Sequence, residues 1–410
     1  MLLRLFYLGL RNRLYLERWQ ERLGFVNIPV CERPRIWIHA VSVGEVQAAI
    51  PVVDKLISMY PGYELLMTTV TPTGAAMVRQ RFAGNVIHIY FPYDIPFSIK
   101  RVLKKINPAC LIVMETEIWP NLFHYCHVNN IKVLLANGRM SEKSYRGYNN
   151  FKKFIQNVLS VIDRIAAQTE KDAERFVQLG ALPERVVVTG SLKFDVKPAG
   201  DSVRPAESIR SDMFQQRPVW IAASTHDGEE QIVLDTHRQI IARKPECLCI
   251  LAPRHPERAA GLLELCDRNG FNTVCTSTVD NCDPVVNILI LDILGELTKY
   301  YAVADIAFVG GSLLPEFGGH NVLEPASLGI PVLTGEYTRN FEEINQLLCD
   351  NNAAIRITDN LQLADKILML FSNRDLRLQM GQAGRDFVAQ NRGSTDRLMV
   401  LLSGLLNETK

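Results

Sequence analysis

Acidic residues at the ends of apolar runs are the first chemical signal in this chain. In His39-Ala40-Val41-Ser42-Val43-Gly44-Glu45 a strand-length run exits through Ser42 and Gly44 into a helical stretch, with Glu45 in its first turn. Small residues at such an exit let a ligand approach the backbone, and a carboxylate at the carboxyl edge of a sheet can serve as a general base. The plainer role for Glu45 is to complement the helix dipole, worth about 0.3–1 kcal/mol, and position alone favours it. Glu115-Thr116-Glu117-Ile118-Trp119-Pro120-Asn121 places two carboxylates two residues apart after another apolar run. Glu117 suits ligand hydroxyls or the support of a catalytic neighbour; the alternative is a helix start with Pro120 in the first turn. Thr68–Gly74 gathers hydroxyls that either line a polar pocket or cap a helix. Arg139, at the end of a further run, is placed to meet a substrate anion.

The second half carries the complementary chemistry. Arg254 and His255, in Ala252-Pro253-Arg254-His255-Pro256-Glu257-Arg258, suit a phosphate at a strand end, although a surface loop fits too. Gly310-Gly311-Ser312 is followed by Gly318-Gly319-His320-Asn321-Val322-Leu323-Glu324-Pro325. Adjacent glycines at a helix start leave backbone N–H groups to an anion, and Glu324, a turn further on, can accept from ribose hydroxyls. Asp292, in Leu291–Leu297, reads as part of a loop closing a nucleotide pocket. No GxxxxGK[ST] loop is present and no GxGxxG follows the first strand, which disfavours an NTPase and a standard dinucleotide fold. The net charge of +1 gives no electrostatic case for nucleic acid. The nine cysteines are scattered without a CxxC pair and read as reduced core thiols, with Cys247 and Cys249 on one face of a buried strand.

These residues need a scaffold, and the pattern supplies one. Runs at Ile36–Val41, Leu65–Val70, Val86–Phe91, Leu111–Met114, Val133–Ala136, Ile165–Gln168 and Val186–Thr189 are nearly continuously apolar, as strands covered on both faces are. Helical stretches such as Val46–Met59 and Ser141–Leu159 lie between them. After a polar stretch, Pro198–Arg217, the pattern restarts with Val219–Ala223, Leu248–Leu251, Ile288–Leu291, Ile306–Val309 and Val332–Leu333. Helices are expected at Glu229–Ala242, Pro256–Arg268, Glu296–Ala302 and through the tail, Leu361–Leu405. With 410 residues and 47% hydrophobic composition, two doubly wound α/β domains are expected, with a cleft at the carboxyl ends of both sheets. The N-terminus, apolar from Leu2 to Leu10 and then basic with Arg11, Arg13, Arg18 and Arg22 around Tyr15 and Trp19, is too short to span a bilayer. It reads equally as a helix on an anionic membrane surface or as a helix docked on its own domain.

Taken together, these segments resemble the Kdo (3-deoxy-D-manno-oct-2-ulosonic acid) transferases of lipopolysaccharide synthesis, glycosyltransferases of the GT-B class. The match is carried by Trp37–Val46, Thr69–Gly74, Glu115–Asn121, Gln168–Phe176, Gly190–Asp195, Ala252–Arg258, Gly295–Tyr301 and Val309–Pro325, in family order over nearly the whole chain. The resemblance implies an α/β GT-B fold of two Rossmann-like domains facing a cleft. It implies a membrane-associating segment 1–24, an acceptor domain 25–197, a linker 198–217, a donor domain 218–390 and a helix 391–410 packing back on the first domain. It implies an inverting transfer from CMP-Kdo to the 6′-hydroxyl of a lipid A precursor, with CMP released and neither cofactor nor metal required. Glu45 falls on the family's proposed catalytic base, which reverses the plainer reading of its position. Ser42, Gly44, Glu115, Glu117 and Arg139 fall on the acceptor side. Lys193, Arg254, His255, Gly295, Glu296, Gly318, Gly319, His320, Asn321 and Glu324 fall on the donor side. A monomer at the cytoplasmic face of a Gram-negative inner membrane is expected, peripheral or anchored by its N-terminus. Removal of residues up to about Gly24 is then expected to weaken membrane association more than chemistry. Two departures stand out: a shorter hydrophobic start than many members have, and Asp292-Ile293-Leu294-Gly295 where the family has Asp-Thr-Met-Gly. The rivals are another nucleotide-sugar enzyme of the same fold, which prefers UDP or GDP to CMP, and a non-catalytic scaffold, indifferent to loss of Glu45.

Overall fold

A computed structural model describes residues 13–29, 31–195, 210–214, 216–279 and 282–408. They form two compact units, one from the residues up to Asp195 together with those from Asn391, the other from the residues between. The first holds seven strands: β1 Arg35–His39, β2 Glu64–Thr69, β3 Val86–Tyr90, β4 Pro108–Met114, β5 Lys132–Gly138, β6 Arg164–Ala167 and β7 Val186–Val188. All pairings are parallel, in the order β3-β2-β1-β4-β5-β6-β7. The apolar runs follow from burial on both faces. Trp37, Leu111 and Val133 enter one core, while their neighbours Ile36, Ile38, Cys110, Ile112 and Leu134 enter the other.

The second unit repeats the plan with β8 Val219–Thr225, β9 Leu248–Pro253, β10 Thr273–Cys275, β11 Ile288–Ile290, β12 Ile306–Val309, β13 Val332–Thr334 and β14 Ala354–Arg356. These strands run parallel in the order β10-β11-β9-β8-β12-β13-β14. Trp220, Cys247 and Cys249 pack on one face and Val219, Ile221 and Leu248 on the other. In each sheet the winding reverses beside the first strand, between β1 and β4 and between β8 and β12. Such a reversal opens a crevice at the carboxyl ends, where doubly wound sheets bind ligands.

Several elements differ from the sequence reading. The stretch Ser141–Leu159 is two helices, Glu142–Asn149 and Lys152–Leu159, and the tail is three, Asn360–Ser372, Arg374–Asn391 and Ser394–Asn407. The last helix buries Leu398, Met399, Leu402, Leu405 and Leu406 in the core that also holds Val46, Ala49 and Val53 of the helix Val43–Met59. Each such side chain contributes about 1.5–3 kcal/mol. Asp195 fixes its start, accepting from the N–H groups of Gly393 (2.7 Å) and Thr395 (2.5 Å). Of the stretch read as linker, 198–209 lies outside the described residues, but Arg210–Phe214 belongs to the second unit. Phe214 is fully buried there and Arg210 pairs with Asp305 at 2.8 Å.

The N-terminal segment needs the largest correction. Residues 1–12 lie outside the described residues. The next stretch is not one surface helix but two short 3₁₀ turns, Arg13–Leu16 and Trp19–Leu23. Two of the arginines of this basic stretch turn inward onto the first unit, on the side of the docked alternative. Arg18 donates to the His88 carbonyl (2.6 Å), and Arg22, only 3% exposed, donates to the Val70 carbonyl (2.8 Å) with its guanidinium 4.5 Å from the Tyr90 ring. Gly24 closes the segment at φ 84°, where a Cβ would stand 2.7 Å from the Ser98 carbonyl oxygen. Among the described residues no helix is long and apolar enough to cross a membrane.

Candidate active site

Both topological reversals carry the chemistry-bearing residues. In the first unit, Glu45 follows β1 and Glu115 and Glu117 follow β4, the two strands that flank the reversal. Ser42 ends the extended backbone and the helix Val43–Met59 begins after it, so Glu45 sits in the first turn. The carboxylate is 7% exposed. Its Oε2 accepts the Val41 N–H at 2.8 Å and its Oε1 the Ser42 hydroxyl at 3.2 Å. Burial raises its pKa to about 8; Glu115 and Glu117 push the same way, while Val41 and Ser42 pull back. Glu117 is raised as well, by burial and then by Glu115. A Cβ on Gly44 would meet only the Ser42 hydroxyl, at 3.9 Å, so this face of the helix start is open to a ligand.

The loop after β4 is held from both sides. Glu115 takes a left-handed φ of 56° and donates its N–H to the Ala136 carbonyl, 2.8 Å away. Asp94 accepts from the N–H groups of Asn121 (3.0 Å) and Leu122 (2.8 Å), fixing the helix Pro120–Val128 that follows Glu117. Thr116 is hydrogen-bonded to the Arg139 backbone, whose N–H donates to the threonine hydroxyl at 3.2 Å, so the exposed Arg139 stands beside the acidic loop. Lys193, counted on the donor side, lies in the first unit. It sits on a turn after β7 whose Leu192 N–H donates to the Asn137 side chain at 3.0 Å. Asn137 and, in the second unit, Ser224 also hold left-handed φ of 57° at strand ends. Strained non-glycine residues of this kind gather at functional edges.

In the second unit the loops after β8 and β12 meet. His226 and His320 join through their Nε2 atoms at 2.8 Å, so one ring carries the shared proton and the other accepts it. Phe317 stacks on His226 at 3.9 Å, and the His255 ring lies 6.2 Å away. Burial, then the neighbouring His226, Arg254 and His255, hold the His320 pKa down to about 4. Arg254 is tied by its N–H to the Thr225 carbonyl (2.9 Å), and its charge also reaches Glu324, whose pKa burial raises. Arg254, His255, His320, Asn321 and Glu324 therefore do converge. Glu296 is engaged with Lys299 at 2.5 Å beside Gly295, and Asp292 accepts the Thr276 hydroxyl at 2.8 Å, joining the loop after β11 to the turn after β10.

The anion cradle expected from the glycines is arranged differently. The helix after Gly318-Gly319 starts only at Leu323 and runs five residues, and Asn321 caps it by accepting the Leu323 N–H at 3.1 Å. The amides of Gly311 (2.7 Å), Ser312 (3.0 Å) and Leu313 (2.9 Å) already donate to Glu229, a fully buried carboxylate that also accepts the His226 N–H at 3.1 Å. Gly311 is obligatory: at φ 66° a Cβ would lie 2.7 Å from the His320 ring. Neither His226 nor Glu229 stood out in the sequence reading. The signal was present, because Gly228-Glu229 follows β8 as Gly44-Glu45 follows β1. Among the described residues no group of three His, Cys, Asp or Glu is placed to hold a metal ion. A cavity of about 420 Å³ lined by Arg33, Tyr60, Tyr63 and Glu64 opens at the amino ends of β2 and β3, the edge away from Glu45.

Comparison with known proteins fits this geometry. A family profile described as 3-Deoxy-D-manno-octulosonic-acid transferase (kdotransferase) matches residues 17–196. The 3-deoxy-D-manno-octulosonic acid transferase of Haemophilus influenzae is 39% identical over 401 residues, covering 97% of this chain and 94% of its own. Among solved structures, the C-terminal CMP-Kdo binding domain of WaaA from Acinetobacter baumannii is 31% identical, covering 45% of this chain and 96% of its own at a TM-score of 0.43. UDP-GlcNAc 2-epimerase from Neisseria meningitidis covers 90% of this chain and all of its own at a TM-score of 0.57, and at 14% identity shows the shared fold alone. Two parallel seven-stranded sheets of GT-B type, acidic and cationic strand-end loops, and close identity along nearly the full length lead to one conclusion: the chain belongs to the Kdo transferase family of lipopolysaccharide synthesis.

Proposed function

We propose that this Kdo transferase takes its sugar from CMP-Kdo and adds it, with inversion, to the 6′-hydroxyl of a tetraacyl-disaccharide lipid A precursor. The observation that carries the reading is Glu45: a buried carboxylate at a strand-end reversal whose pKa lies near the working pH, where a general base is most effective. Glu45 removes the proton of the acceptor hydroxyl as its oxygen bonds to the anomeric carbon. The bond from that carbon to the donor phosphate breaks, and CMP leaves with the electron pair. The reacting sugar gains oxocarbenium character, as in glycoside cleavage. Arg254, with its positive charge beside His320, stabilises the departing phosphate, and Glu324 receives the ribose hydroxyls. Glu117 and Arg139 orient the acceptor, and Lys193 steadies an anionic group of either substrate.

The acceptor's acyl chains remain in a bilayer, so the enzyme works at a membrane surface, in this reading the cytoplasmic face of the inner membrane. Residues 1–17 are the candidate contact, with Leu14 and Leu16 exposed. A deletion through Gly24 also removes Arg18, Glu21 and Arg22, which serve the fold, so the informative truncation ends before Arg18.

The deciding experiment is transfer of labelled Kdo from CMP-Kdo to the tetraacyl precursor, with products resolved by mass and CMP, UDP and GDP compared as competing ligands. Kdo transfer, with the product mass counting the sugars added, and preferential binding of CMP are expected. Preference for UDP, with no Kdo transferred by the folded protein, would assign the site to another nucleotide sugar.

A further inference from the structure

We infer that Arg22 is a positioning residue for the Glu45 carboxylate, acting through the backbone of Val70 and Val41. The inference rests on the reading of Glu45 as the base. Val41 supplies the backbone N–H that Glu45 accepts, at 2.8 Å. Yet Val41 lies beyond the end of β1, where the sheet ladder no longer fixes it. Its carbonyl, on the peptide that follows, is held in place by accepting the N–H groups of Val70 (3.1 Å) and Thr71 (3.2 Å). Val70 lies in turn beyond the end of β2, and its carbonyl accepts from Arg22 at 2.8 Å. The path from Arg22 thus runs through the Val70–Thr71 peptide, whose Thr71 N–H meets the Val41 carbonyl, and crosses the Val41 Cα to the N–H that Glu45 accepts.

The Arg22 end of this relay is itself fixed. Its carbonyl accepts the Tyr93 N–H at 2.7 Å, and its guanidinium lies over the Tyr90 ring. The neighbouring Glu21 accepts the Tyr90 N–H at 2.7 Å while pairing with Arg18, also at 2.7 Å. The charged and titratable groups facing Arg22 are Tyr93, Tyr90, Tyr15, Glu21 and His88; those facing Glu45 are Glu115 and Glu117, with the Ser42 hydroxyl. Burial depresses the Arg22 pKa, so the site keeps a cation at a desolvation cost that an apolar side chain would avoid. A purely structural plug has no need of a charge there. A cation aimed at one carbonyl sets that peptide's position and, through it, the donor to the base.

The test compares Arg22→Met, Arg22→Lys and Glu45→Gln. It measures transfer to a detergent-solubilised acceptor across pH, CMP binding, and hydrogen exchange at the Val41, Val70 and Thr71 amides. Arg22→Met is expected to lower kcat about tenfold, the worth of one charge-assisted hydrogen bond, with CMP affinity unchanged. It should speed exchange at Val41 and move the rising limb of the rate profile to higher pH, because a weakened Val41 bond favours the protonated acid. Arg22→Lys, which keeps the charge, should restore part of each effect. A folded Arg22→Met enzyme with an unmoved limb and unchanged Val41 exchange would reduce Arg22 to packing and overturn the inference. Full transfer by Glu45→Gln would sink the base assignment instead, and the exchange rates would still report on the relay.

Discussion

Glu45 and Glu229 occupy matching places in two units built on one plan, each after a glycine and in the first turn of the helix that follows the first strand. Their surroundings differ. Glu229 accepts four backbone N–H groups, from His226, Gly311, Ser312 and Leu313. Glu45 accepts one backbone N–H and one hydroxyl, and two further acids press on it. Burial raises the proton affinity of Glu45, and its two hydrogen bonds offset only part of that. The first glutamate is thereby available for proton transfer. The second, fully buried, is held by its four bonds and fixes the turn after β12 against the loop after β8. The neighbouring charges follow the same division: acids gather in the first unit, and His226, His255, His320 and Arg254 in the second.

Four substitutions can break or sharpen this contrast. Glu45→Gln should reduce transfer by about 10²–10⁴-fold, the range of a lost general base, with CMP titration unchanged. The same substitution should aid folding. Because the folded pKa of about 8 lies above the ordinary 4.5, the stability Glu45 contributes is present below 4.5 and lost as pH rises through 8. Glu45→Gln should therefore melt later than the parent at pH 9 and little differently at pH 4.5; a lower melting temperature at pH 9 would contradict the raised pKa.

Glu229→Gln should do the reverse, costing about 3 kcal/mol by facing an amide group toward N–H donors. For a unit of this size that is roughly 6–12 °C in the melting of the second unit, followed by calorimetry. Equal melting of variant and parent would mean that the four bonds do not organise the loop.

Arg254→Met should weaken CMP binding about 10- to 100-fold, with the residual affinity less sensitive to salt; cytidine, which lacks the phosphate, should bind both proteins alike. The smallest change is expected from Glu117→Gln. Transfer needs ionised Glu45, so its rate rises with pH through that group's pKa. Removing a nearby negative charge lowers this pKa and should move the limb down by roughly half a unit. A limb that moves up, or stays, would detach Glu117 from the base.

The sequence made the repeated α/β plan readable because strands buried on both faces must be apolar at nearly every position, and most runs coincide with observed strands. It missed Thr273–Cys275 and Ala354–Arg356, short runs broken by Thr273 and Arg356, whereas the equally short but wholly apolar Ile288–Ile290 and Val186–Val188 were legible. It singled out Glu45, Glu117, Arg254, His320 and Glu324 because charged residues at strand ends are conspicuous whatever their partners. It passed over His226 and Glu229, although Gly228-Glu229 repeats the placing of Gly44-Glu45, because their partners His320 and Gly311 lie more than 80 residues away.

What the amino-acid order alone determined was the layering of the sheets, the family likeness and the list of charged strand ends, all of which follow from local composition and period. Tertiary structure decided which donors surround each of two similarly placed glutamates. Three of the four donors to Glu229 come from residues 82 to 84 positions further on, and the residue that addresses Glu45, Val41, is held at its carbonyl by Val70 and Thr71. A carboxylate's proton affinity depends on the number of donors within about 3 Å, and only the folded chain brings them there.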